Sequence, residues 1–192
     1  MLAILLNIFL ISCAVNLDGG KIEELNEEQV QKEYCKKKGI DFEKNKRYIC
    51  VNVSSTFKHV AAVGSFASDR GCMGESYYFA GDFISLKELT PRALEYYGWK
   101  EASKREDLAL KWVTKVVTVW ESEVNSMPEG FSESSFFKPT VWTENNQVKV
   151  KLWIQEPAGM LNQSDYYAAE YTFSESGEIV DVKKLGSKTI QH

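Results

Sequence analysis

Asn145-Asn146-Gln147-Val148-Lys149-Val150-Lys151-Leu152-Trp153-Ile154-Gln155 is the stretch that decides the fold. Val148, Val150, Leu152 and Ile154 alternate with Lys149, Lys151 and Trp153, the two-residue period of a strand with one face buried. Asn145-Asn146 makes the turn into it. Upstream, Phe136–Thr143 reads as another strand, and Pro139 within it marks a sheet edge, where a missing N–H costs no ladder bond. Downstream, Tyr166–Phe173 and Glu178–Leu185 follow, joined by a tight turn at Glu175-Ser176-Gly177.

A helix precedes this meander. Ser103 and Glu106 have the spacing of a capping box, and the pattern runs to about Val124. Ala109, Trp112, Val113, Val116, Val117, Trp120 and Val124 form its apolar stripe, with Lys111, Thr114, Lys115, Thr118, Glu121 and Ser122 opposite. The expected fold class is therefore α+β: a long amphipathic helix packed on a four-strand antiparallel meander over residues 103–185. In element order this resembles the cystatin-like or NTF2-like architecture, and such a resemblance speaks to fold and not to function.

The N-terminal half reads as helical and irregular. Asn26 caps a helix with Gln29 as its box partner, acidic Glu27 and Glu28 begin it, Lys36 to Lys38 end it, and Gly39 follows. Arg47–Val53 and Tyr77–Ile84 read as strands, residues 54–76 between them as small-residue turns, and Thr90-Pro91 as the start of a short helix ending at Gly98. Residues 22–192 are expected to form a single domain.

Residues 1–15, MLAILLNIFLISCAV, carry no charge and are shorter than a membrane-spanning helix requires, which points to a removable export signal. Within it, Leu10-Ile11-Ser12-Cys13 resembles the lipobox of bacterial lipoprotein signal peptides. That resemblance implies lipid transfer to Cys13, cleavage before it (residues 1–13 as signal and lipobox), a tether over residues 14–21 and attachment to the cell envelope, at the outer membrane in a Gram-negative cell. Ser12-Cys13-Ala14 also fits ordinary signal peptidase, which would release a secreted chain beginning at Val15 and bring sequons at Asn52 and Asn162 into play. With Cys13 lipidated, Cys35, Cys50 and Cys72 can form one disulfide, and Cys35–Cys50 is the expected pair.

Composition excludes several functions. Net charge is −4, which gives nucleic acid no broad attraction. No phosphate loop, dinucleotide fingerprint or C-x-x-C pair occurs, so neither a cofactor nor a metal site is expected. His59 is the one internal histidine and thus the one histidine base for a nucleophile, with Cys72 beside Arg70, or Ser65, as that nucleophile. Glu121, Glu123, Glu170 and Asp181 are the carboxylates available for acid–base work in a sheet concavity, Glu170 foremost. Lys149, Lys151 and Trp153 form a basic-aromatic stripe that a ligand or protein could use, and that a solvated sheet face also shows. The sequence leans toward a non-enzymatic binding or interaction module, attached to a membrane by its N-terminal lipid and meeting an envelope protein or a small ligand. An exported hydrolase using Cys72 with His59, or a concavity carboxylate, is the alternative.

Overall fold

Helix α1 (Glu27–Lys38) starts where the sequence places it: the Asn26 side chain accepts hydrogen bonds from the Glu28 and Gln29 amides at 3.0 and 3.3 Å. It stops at Gly39, whose φ of 68° is the left-handed conformation that glycine adopts without strain. The computed structural model describes residues 22–67, 71–156 and 163–191, so Cys13, the signal segment, the tether, Arg70 and Asn162 fall outside the described residues. After α1 comes a short helical turn, α2 (Phe42–Asn45), and then a four-stranded antiparallel sheet in the order β1 (Ile49–Val53), β2 (Val60–Ala67), β3 (Gly71–Phe79), β4 (Asp82–Ile84).

This first sheet corrects the expectation of an irregular N-terminal half. The small-residue run Val60-Ala61-Ala62-Val63 is a central strand buried on both faces, each residue 3% exposed or less. Burial on both faces erases the two-residue alternation by which strands are recognised. Ala61 and Val63 face α1, where Val30, Tyr34, Cys35 and Ile49 join them, while Val60 faces the main core.

Helix α3 (Leu86–Tyr96) begins before Thr90, at a capping box formed by Ser85 and Glu88. Ser85 Oγ accepts from the Glu88 amide, and the Glu88 carboxylate accepts from the Ser85 amide at 3.0 Å. Pro91 consequently lies inside the helix. Helix α4 (Arg105–Trp112) is shorter than the long helix expected. Its expected capping box does not form: Ser103 lies inside a 3-10 turn (Ala102–Lys104) that leads into the helix, and Glu106 accepts the Thr143 hydroxyl at 2.8 Å. Its far end widens into a π-helical turn over Val113–Val117, closed where the Thr118 amide and hydroxyl both donate to the Val113 carbonyl (3.0 and 2.9 Å). Val113, Thr114, Val116 and Val117 are β-branched and poor helix formers, and the chain leaves the helix at Thr118. Val124 then bonds the backbone of the second sheet.

That sheet is the expected antiparallel meander. β7 (Gln147–Gln155) lies between β8 (Gln163–Phe173) and an edge made of β6 (Thr140–Glu144) and the two-residue β5 (Ser122–Glu123). β9 (Ile179–Gln191) forms the opposite edge. Asn145 and Asn146 have φ of 52° and 60°, the two left-handed residues that a two-residue hairpin turn requires. Val148, Val150, Leu152 and Ile154 are each at most 1% exposed and pack on Trp112, Val113 and Val116. Helices α3 and α4 thus fill the space between the sheets, with Val60 and Phe79 of the first sheet, and Phe57 of the turn between β1 and β2, closing the core.

The disulfide joins Cys50 to Cys72, not Cys35 to Cys50, and its two cysteines are 22 positions apart. Strand alternation explains the difference. Ile49, Val51 and Val53 turn toward α1, so Cys50 turns away from it, and Cys35 remains a buried thiol on the opposite face.

Candidate functional site

Beyond the π-helical turn, Glu121 enters a half-buried polar cluster. Its carboxylate accepts the Tyr167 hydroxyl at 2.8 Å, and the Tyr171 hydroxyl is in hydrogen-bonding contact with that of Tyr167. Tyr167 and Tyr171 are four residues apart on β8, so both project from its inner face. Tyr77, from the first sheet, donates to the Val116 carbonyl at 3.4 Å and closes the cluster from the other side.

Burial sets the electrostatics. It raises the Glu121 carboxyl pKa, opposed by the hydrogen bond from Tyr167 and reinforced by the charge of Glu156. Burial likewise pushes Tyr77 up to about 12, with the Glu121 charge adding to it. Tyr167 rises further, because it is desolvated and also donates to a carboxylate. These phenols therefore remain donors at every physiological pH, and Glu121 is the titratable acceptor they surround.

Two cavities flank this carboxylate. One, of about 260 Å³, is lined by Glu121, Glu156, Tyr167, Ala169, Val182 and Lys184. Lys184 Nζ lies 5.8 Å from the centre of the Tyr167 ring. The other, of about 320 Å³, runs along the π-helical turn between Thr114, Thr118 and Glu121 on one side and Asn52 to Ser55 on the other. Beside them Trp120 crosses the first sheet so closely that a Cβ on Gly74 would lie 2.5 Å from its indole nitrogen. That buried N–H has no hydrogen-bond partner among the described residues. The Glu121 carboxylate at the phenol end of Tyr167, with Glu156, Lys184 and the apolar Ala169 and Val182 around it, can seat a small polar molecule, with Glu121 to accept a donor or balance a positive charge.

The residues expected from sequence to carry chemistry are distributed differently. Cys72 is consumed by the disulfide, so it is no nucleophile. His59 is far from it: Val60 pairs with Phe79 while Phe66 pairs with Cys72, placing them at opposite ends of one hairpin, roughly 23 Å apart along the strand. His59 Nδ1 instead meets the Glu23 carbonyl at 3.0 Å, and its ring lies between Tyr96 and Tyr97. Ser65 belongs to β2, paired with Ile49 and Met73.

Glu170 lies on the outer face of the second sheet and not in its concavity. Lys151 and Lys183 flank it across the strands, in the alternating charge pattern of a wet sheet surface. Asp181 is exposed on β9, and Glu123 sits in the short edge strand β5. The stripe of Lys149, Lys151 and Trp153 is also not an open binding face. Lys149 pairs with Glu144 at 2.6 Å, Lys151 sits 4.1 Å over the Phe137 ring, and Trp153 is 6% exposed beneath Phe131 and Phe137. Among the described residues no cluster of three or more His, Cys, Asp or Glu could hold a metal ion, and no helix is long and apolar enough to cross a membrane.

Sequence reasoning named Glu121 only as one carboxylate among several and did not join it to Tyr77, Tyr167 and Tyr171. The available signal was the four-residue spacing of Tyr167 and Tyr171 on one strand face. Comparison with protein-family models, with curated proteins and with solved structures gives no match for this chain.

Proposed function

We propose that this chain is an exported protein, anchored to a bacterial envelope through lipid on Cys13, that works as a binding module with its ligand seat at Glu121. The observation that carries the binding reading is the Glu121–Tyr167 pair open to a cavity of about 260 Å³. Glu121, Glu156, the Tyr167 phenol, the Lys184 ammonium and the apolar side chains of Ala169 and Val182 line one small space. The chemical class this favours is a small molecule presenting a hydrogen-bond donor or positive charge to Glu121. The Cys50–Cys72 disulfide supports the export half, since such bonds persist in oxidising compartments.

Intact mass and detergent partitioning of the protein expressed in a bacterial host, beside Cys13→Ala, test the location. A diacylglycerol increment lost in the variant supports the anchor; an aqueous chain beginning at Val15 refutes it. For the site, a panel of small amines and polyols is titrated against tyrosine resonances of the protein. Binding that shifts Tyr167 and is lost in Glu121→Gln, but not in Glu170→Gln, is expected. A panel that leaves Tyr167 unmoved, or an effect of Glu170→Gln equal to that of Glu121→Gln, refutes the seat.

A further inference from the structure

β9 is the longest strand of the described residues, at 13, and it is a sheet edge: among those residues only β8 pairs with it. Its pairing with β8 skips Val180 and Leu185, so the regular part of that edge is residues 181–184, whose outward N–H and C=O groups another strand can pair. The six residues Val180 to Leu185 are all exposed, and Val180 and Val182 keep 51% and 53% of their surface in water. The order of side chains here is self-complementary. Asp181 and Lys183, opposite in charge, stand symmetrically on either side of Val182 and share the outer face, opposite Thr172 and Glu170 of β8.

We propose that β9 pairs antiparallel with β9 of a second copy of this chain about a two-fold axis through Val182. In that register Val182 meets Val182 across the axis. Asp181 of each copy lies opposite Lys183 of the other, so the arrangement makes two identical ion pairs, as an isologous interface requires. The exposed valines leave water, and the two second sheets become one continuous sheet. Other registers lose this match: a shift of two residues sets Lys183 against Lys183 in one direction and Asp181 against Asp181 in the other. The lysines that commonly protect an edge from indiscriminate pairing here select one register and one occupant.

The full chain is expressed and exported with Val182→Cys, oxidised with copper phenanthroline, and run on a non-reducing gel beside the unsubstituted chain. Residue 182 is exposed, so the substitution leaves the core intact. Directly opposed Cα atoms in an antiparallel pair are about 4.5–5.5 Å apart, within disulfide reach. Val180→Cys is the register control: its opposite number is Lys184, and its own copy lies about 13 Å further along the strand. The expected result is a homodimer band from the Val182→Cys chain and none from the Val180→Cys chain. Adding Asp181→Lys to Val182→Cys lowers the dimer fraction by about tenfold through two like-charge pairs, and Asp181→Lys with Lys183→Asp restores it.

Absence of a dimer with Val182→Cys overturns the proposal. So does equal cross-linking from positions 180 and 182, failure of the charge swap to restore the band, or capture of foreign chains in place of a homodimer. Circular dichroism of each variant separates loss of pairing from loss of fold.

Discussion

Removing the Cys50–Cys72 bridge tests the assignment of cysteines and the energetics of the first sheet together. The bond links β1 to β3 across a separation of 22 positions that includes all of β2. In the chain-entropy description, closing a loop of that length takes about 11 cal/mol/K from the unfolded ensemble, or about 3 kcal/mol at room temperature. Cys50→Ala with Cys72→Ala should therefore cost about 3 kcal/mol. With a urea slope of roughly 2 kcal/mol/M, the tryptophan-fluorescence midpoint falls by about 1.5 M. Cys35→Ala should behave otherwise: it keeps the bridge and loses only the packing of a buried thiol against Ile49 and Ala61. Alkylation of unfolded, unreduced protein should accordingly label Cys35 and neither Cys50 nor Cys72. A midpoint unchanged by the double substitution, or a Cys35→Ala variant in which Cys50 becomes alkylatable, would refute the reasoning.

Three further outcomes follow from particular contacts. The Glu121 carboxyl titrates higher in the folded protein than in the unfolded chain, so the folded state holds more protons between the two values and stability falls as pH rises through that window. Glu121→Gln should therefore match the parent near about pH 3 and exceed it in urea resistance at neutral pH; the reverse order would show that the hydrogen bond from Tyr167 outweighs burial. Gly74→Ala places a methyl 2.5 Å from the Trp120 indole nitrogen, which should cost about 1–3 kcal/mol and shift tryptophan emission, whereas Gly186→Ala, with open space around it, should change little by the same melt. Trp153→Ala removes a ring packed against Phe131 and Phe137 and should cost about 3–5 kcal/mol in the same denaturation assay, while Lys149→Ala, an exchange at a surface ion pair, should cost less than about 1 kcal/mol.

The second sheet was legible because one face of β7 is dry and the other carries two lysines, so its period survives in the sequence. The hairpin turn was legible because Asn145 and Asn146 tolerate positive φ. The first sheet was obscured for the opposite reason: α1 covers one face of β2 and the main core covers the other, leaving a run of small apolar residues without a period. The helix running on toward Val124 was misread because its stripe serves two structures in turn. Ala109 to Val116 pack between the sheets, and Val124 packs with Phe131 and Trp153 on the far side of the second sheet.

Local chemistry determined the caps of α1, the hairpin turn and the strand pattern of the meander, since each depends on residues within a few positions of one another. The same holds for the expectation of an export signal and lipobox around Cys13, which rests on residues 1–15 alone. Tertiary structure decided which cysteines meet, that Trp153 is covered, that Glu170 faces water, and that Glu121 gathers tyrosines from both sheets. Those outcomes depend on which face of an element lies against which neighbour. Residue order sets the spacing of side chains along a strand, but only packing between distant segments chooses the solvent each face receives.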